Sequence, residues 1–159
     1  MLKRIAITAI MILIAIVAFA QEGLTIDRFF DDAYQSQSGI TSVNISGDQL
    51  KQWKCDISLY RSITVENNMT EAEEMERAVK KDGVHATSRT VSMTNGHIYF
   101  GYYALPPAKG KNRFIIFMRS RDKEDPANVN SARTDLFYIE GKTSPEELSD
   151  MLRSIKIKK

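Results

Sequence analysis

The polarity pattern of the chain changes three times. From Ile5 to Ala20 every position is apolar or small except Thr8. A helical period follows, with Ile26, Phe29, Phe30 and Ala33 on one stripe of a helix predicted over Thr25–Tyr34. Short alternating runs come next. Thr41, Val43 and Ile45 mark a strand over Gly39–Ser46, and Ile57, Leu59, Ile63 and Val65 mark a second, interrupted by Arg61. Between them Asp48 is placed to cap a short helix containing Leu50 and Trp53. Thr70-Glu71-Ala72-Glu73 reads as a capping box, opening a helix that buries Ala72, Met75 and Val79 and stops at Gly83.

Beyond Gly83 the period is two. Val84–Thr94 and His97–Leu105 are strands joined by Asn95-Gly96, the sequence of a type I′ hairpin turn. Pro106-Pro107 and Gly110 mark a loop, Arg113–Ser120 a strongly apolar strand, and Arg133–Glu140 the last strand. Ser144-Pro145-Glu146-Glu147 opens a final helix that buries Leu148, Leu152 and Ile155. Strands gather toward the C-terminus instead of alternating with helices. The expected class is therefore α+β: a mainly antiparallel sheet with helices packed on one face.

The first apolar run decides the compartment. Lys3 and Arg4 precede it, Ala18 and Ala20 stand at −3 and −1, and Gln21 follows. This is the pattern of a secretory signal peptide with an A-x-A cleavage site. It is shorter than the roughly 20 apolar residues of a spanning helix. The expected organisation is a signal peptide over 1–20 and a single domain over 21–159. No stable membrane anchor is expected after cleavage, and the destination is the periplasm, the outer envelope or the exterior.

Charge and cysteine content narrow the partners. The full chain carries 22 basic and 20 acidic residues. Removing Lys3 and Arg4 leaves the two signs equal at 20, a balance that gives no footprint for nucleic acid. Cys55 is the only cysteine, so no disulfide closes within the chain and stability must come from the core.

Motifs with catalytic or cofactor chemistry do not occur. There is no G-x-S-x-G elbow, H-E-x-x-H, C-x-x-C, P-loop or dinucleotide turn. His85 and His97 stand at opposite ends of the predicted hairpin, on the order of 30 Å apart at strand rise, and cannot share a metal ion. No metal site and no cofactor is expected. Glu71, Glu73, Glu74 and Glu76 read as a solvated helix start, the acidic Asp122–Ala132 loop as solvated, and Arg113, Arg119 and Arg121 as groups that edge the sheet or pair with Asp135 and Glu140.

A two-residue Asn95-Gly96 loop sets Met93 opposite Ile98, Val91 opposite Phe100 and Arg89 opposite Tyr102, as the core face. The other face would then carry Tyr99, Tyr103, Ile115 and Phe117. If uncovered, those four form the candidate binding surface for an envelope protein or a small ligand. The leading expectation is a non-catalytic binding or accessory module. The alternatives are a small envelope hydrolase using Cys55, and a homo-oligomeric structural protein joined at a sheet edge.

Ile26-Asp27-Arg28-Phe29-Phe30, the strand Thr41-Ser42-Val43-Asn44-Ile45-Ser46, and Leu136–Gly141 followed by the Pro145 helix resemble one family. It is a domain-of-unknown-function family of small exported proteins from Gram-negative anaerobes. The resemblance covers most of the chain after residue 20. It departs at Pro106-Pro107 and over Asp122–Ala132, as a sister family would. It implies export and an α+β fold, and, through the nearness of its genes to envelope-stress sigma factors, an envelope role. No activity is attached to the family, so it lends no functional residue.

Overall fold

The computed structural model describes residues 23–53, 55–121, 124 and 129–157. The expected signal peptide and its cleavage site at Ala18, Ala20 and Gln21 lie outside them, as do residues 122–123 and 125–128 of the acidic loop. The elements follow the expected order. A 3₁₀ segment (Thr25–Phe30) leads into α1 (Asp32–Gln35), β1 (Ile40–Ser46), a second 3₁₀ segment (Gly47–Leu50), β2 (Ile57–Glu66) and α2 (Met69–Gly83). β3 (Ser88–Thr94), β4 (His97–Ala108), β5 (Lys111–Arg121), β6 (Val129–Gly141) and α3 (Pro145–Ile157) complete it.

Several predicted boundaries shift for local reasons. The first helix breaks at Asp31, whose ψ of 145° is extended. Its first part winds as a 3₁₀ segment, and Asp82 of α2 holds its leading amides: the carboxylate accepts from Thr25 N at 2.8 Å and Ile26 N at 2.9 Å. α2 is capped by Asn68, whose side chain accepts from Glu71 N at 3.1 Å, so the cap lies two residues before the predicted Thr70. At α3 the predicted capping box forms reciprocally. Ser144 Oγ accepts from Glu147 N at 3.1 Å, and the Glu147 carboxylate accepts from Ser144 N at 2.8 Å.

The six strands form one antiparallel sheet in the order β1-β2-β6-β5-β4-β3. The two-residue turns of the β3–β4 and β4–β5 hairpins have the positive φ that a type I′ turn demands, Asn95 and Gly96 in the first, Lys109 and Gly110 in the second. β4 runs through Pro106-Pro107, where the ladder to β5 is interrupted between Leu105 and Ala108.

Both faces of the sheet are apolar, and each has its own cover. Ile63, Val65, Tyr103, Ile115, Phe117, Leu136 and Tyr138 pack beneath α2 and the first 3₁₀ segment, against Met75, Val79, Ile26 and Phe29. On the reverse face Ala104, Phe114, Ile116 and Ile139 pack against Leu148 of α3 and Leu50 of the second 3₁₀ segment. The α+β class and the antiparallel sheet therefore stand. The expectation that all helices share one face does not, because the strands bury aliphatic and aromatic groups at both parities. Each large side chain so buried contributes roughly 1.5–3 kcal/mol.

Candidate functional site: the half-open face of the sheet

Three of the four expected site residues belong to the sealed core. Tyr103 is 3 % exposed, and Ile115 and Phe117 are fully buried beneath α2. They do share a face, as the sequence suggested, but it is the covered one. The physical reason is the cover of α2 and the first 3₁₀ segment over this face, and a β-bulge in β4 turns Ile98 onto it as well. Met93 pairs with Ile98, yet Ser92 pairs with Phe100, so Tyr99 is an extra residue in the ladder. Beyond it Thr90 stands opposite Tyr102 and Arg89 opposite Tyr103. Tyr99 itself is half-buried at the bulge. The detectable signal was Gly101, since glycine inside a strand marks a bulge or a close approach. Here the approach is the Tyr103 ring: a Cβ on Gly101 would lie 2.8 Å from it, and one on Gly83 of α2 2.5 Å.

The face that stays partly open is the α3 face. Across it the strand register sets one row of Ser62, Phe137, Ile116, Tyr102 and Thr90. Beside that row runs another containing Thr64, Asp135, Met118 and Phe100. Tyr60, Phe100, Tyr102, Met118 and Phe137 are half-buried there, with Trp53 at one end and Met151 and Leu152 of α3 alongside. The rings touch in a chain: Trp53 meets Tyr60 edge-on at 5.2 Å, and Tyr60 meets Phe137 at 6.2 Å. Tyr102 stacks on Phe114 at 6.1 Å. Its hydroxyl is buried without a hydrogen-bond partner among the described residues. Burial, and then the charge of Glu146, push that phenol up to about 12. At the rim Asp135 accepts from Thr64 Oγ1 at 2.6 Å and from Arg133 Nε at 2.9 Å. Arg133 and Asp135 thus pair with each other, and Arg119 takes no part.

Arg119 lies on the other face, in a charged cluster that the sequence did not reveal. Its side chain is fully buried, and Nη1 donates to Glu76 at 2.8 Å. The Glu76 side chain is 4 % exposed, so the expectation of a solvated helix start fails at this residue. Its carboxylate also takes Lys80 Nζ at 2.6 Å and Ile98 N at 3.0 Å, and His97 Nδ1 approaches at 3.4 Å. Burial works to raise this carboxyl, but hydrogen bonds from Lys80, Ile98 N and Arg119 outweigh it and hold it below the usual carboxylate range. The position was readable only as i and i+4 spacing of Glu76 to Lys80; nothing local announces a partner 43 residues away. Glu71 and Glu74 are likewise engaged, by the Tyr34 hydroxyl at 2.7 Å and by Arg28 at 2.9 Å.

Cys55 packs against the α3-face cluster and its thiol points to Glu147 O at 3.7 Å. His97 belongs to the Glu76 cluster, so the structure does not bring this histidine to the cysteine. Among the described residues no three His, Cys, Asp or Glu side chains converge as metal ligands, and no helix is long and apolar enough to cross a membrane. No curated protein and no solved structure matches the chain. A model of a family of unknown function matches residues 13–152, nearly the whole of the fold just described, and the chain belongs to that family, DUF6108.

Proposed function

We propose that this chain is exported after loss of its leader and works in the envelope as a non-catalytic binding module, holding an apolar segment of a partner protein on the α3 face. One observation carries the reading. Trp53, Tyr60, Tyr102, Met118 and Phe137 are left half-buried side by side, while the centre of the opposite face is covered by α2 and the first 3₁₀ segment. Tryptophan, tyrosine, phenylalanine and methionine are the residues enriched where protein surfaces meet. A broad, nearly uncharged strip suits an apolar protein segment better than a small polar ligand. The export half of the reading rests on the Lys3-Arg4 start, the apolar run and Ala18-Phe19-Ala20.

The test pairs two baits in a native envelope extract: the full chain, and a Met118→Glu/Phe137→Ser variant whose circular dichroism matches it. A protein retained by the first and lost by the second supports the reading. The recovered protein, once purified, should then shift the emission of Trp53, the sole tryptophan. Equal retention by both baits, or an unmoved Trp53, overturns it. Intact mass of the exported chain reads cleavage before Gln21 separately.

A further inference from the structure

The sheet has two margins, β1 and β3. An edge strand presents a row of unpaired backbone donors and acceptors, which proteins ordinarily guard with charges, prolines or bulges. β3 carries Arg89, and its ladder with β4 is broken by the bulge at Tyr99. β1 has no such guard. Ile40-Thr41-Ser42-Val43-Asn44-Ile45-Ser46 contains no charged residue and no proline, and it pairs with β2 at seven consecutive positions without a shift. Five of its seven residues are exposed, and Val43 is 42 % exposed.

The phase of the ladder fixes which atoms face outward. Glu66 N donates to Gly39 O at 3.4 Å, across the position that continues the β1–β2 register. On the other side of β2, Asn67 N donates to Ala132 O at 3.3 Å, which gives the same phase. Hydrogen-bonded pairs alternate along an antiparallel ladder. Thr41, Val43 and Ile45 therefore spend their backbone groups on β2, and those of Ile40, Ser42, Asn44 and Ser46 point away from it.

We propose that β1 pairs with β1 of a second copy of this chain, antiparallel about a twofold axis through Val43. This pairing uses all seven residues. Ile40 meets the partner's Ser46, and Ser42 meets the partner's Asn44; all of these carry the outward backbone groups, so each is a hydrogen-bonded pair. Val43 meets the partner's Val43 in a non-hydrogen-bonded pair, where Cα atoms come closest, at about 4.5 Å. Thr41 and Ile45 flank it on the same face, and the strand brings no like charges together. The contact is isologous and closes at two copies. It fuses two six-stranded sheets into one, with the α3 faces continuous across the seam. The proposal is separate from the partner-binding reading, because it uses backbone groups of the edge and not the aromatic strip.

Sedimentation velocity over a wide concentration range, on the full chain expressed with its own leader, should show a monomer–dimer equilibrium. Asn44→Pro removes an outward donor without touching the β2 ladder, and Val43→Lys sets two ammonium groups face to face. Each should abolish the dimer while circular dichroism and melting stay those of the parent. Val91→Lys, on the other edge, should leave the dimer intact. As a readout independent of those folds, Val43→Cys in a Cys55→Ser background should oxidise to an interchain disulfide, since the Cα spacing lies in the bonding range of about 4.4–6.8 Å. Val91→Cys should not. A parent that stays monomeric at every concentration, a dimer that survives in folded Asn44→Pro, or one lost in Val91→Lys overturns the proposal.

Discussion

Replacing either partner of the Glu76–Arg119 pair tests the account of the α2 face. The two charges are 2.8 Å apart, with side-chain exposures of 4 % and 0 %. Removing one member of such a pair leaves the other buried and uncompensated, which costs about 3–5 kcal/mol. The structure makes the two substitutions unequal. After Arg119→Met the carboxylate keeps Lys80 and Ile98 N, so the loss should sit near the value of one charged hydrogen bond, about 1.5–3 kcal/mol. After Glu76→Leu the guanidinium keeps no carboxylate among the described residues, only the Met69 sulfur at 3.5 Å and His97 Nδ1 at 3.4 Å, and the loss should approach the upper figure. The double variant should be milder than the sum of the singles, with a coupling of about 1–3 kcal/mol. Urea unfolding followed by Trp53 emission and far-ultraviolet circular dichroism reads all four chains, at unchanged m value. The same carboxyl sets an acid limb. Its folded pKa is lowered, so the unfolded chain binds the proton first as pH falls, and stability that is complete above the unfolded value drains away as pH drops through the folded one. That limb should shrink in a Glu76→Gln chain. Losses below about 1 kcal/mol for both singles, or strict additivity, would refute the reasoning.

Three further outcomes are expected. Asp82→Ala should release the amides of Thr25 and Ile26, speed their hydrogen exchange, and cost about 1.5–3 kcal/mol in thermal or urea unfolding. Gly101→Ala should cost about 1–3 kcal/mol by driving a methyl into the Tyr103 ring, and a second change of Tyr103→Leu should recover part of it. In a spectrophotometric titration, the Tyr102 phenol should ionise only near pH 12, and Tyr102→Phe should remove that component from the high-pH rise without loss of stability, because the buried hydroxyl has no hydrogen-bond partner among the described residues.

Periodicity and caps carried the fold a long way. The order of elements, the Asn95-Gly96 turn and the Ser144–Glu147 box were legible because each depends on residues within a few positions of one another. What failed was non-local. One extra residue at Tyr99 changes which side chains stand opposite one another along the rest of the hairpin, and alternation alone does not show where a bulge falls. Nor does alternation show which face a helix will cover, and the binding surface was sought on Tyr103, Ile115 and Phe117, over which α2 packs. Glu76 read as solvated and Arg119 as a sheet-edge group or a partner of Asp135 and Glu140, because a charge declares itself buried only through a partner brought in by the tertiary fold. The division of helices between both faces was foreshadowed by apolar residues at both parities of β5, and the single-face arrangement undervalued it.

The place of β6 has a consequence for the order of events during synthesis. β6 is the last strand to be made, yet it lies inside the sheet, between β2 and β5. Until Gly141 has emerged, β1 and β2 form one fragment and β3, β4 and β5 another, and no strand ladder joins them. Each fragment lacks the neighbour that completes its face, and a pairing this distant must bear its loop-closure entropy before it returns any stability. The six-stranded sheet is therefore continuous only once β6 has entered it, and every ladder that ties the N-terminal strands to the C-terminal ones runs through that last strand.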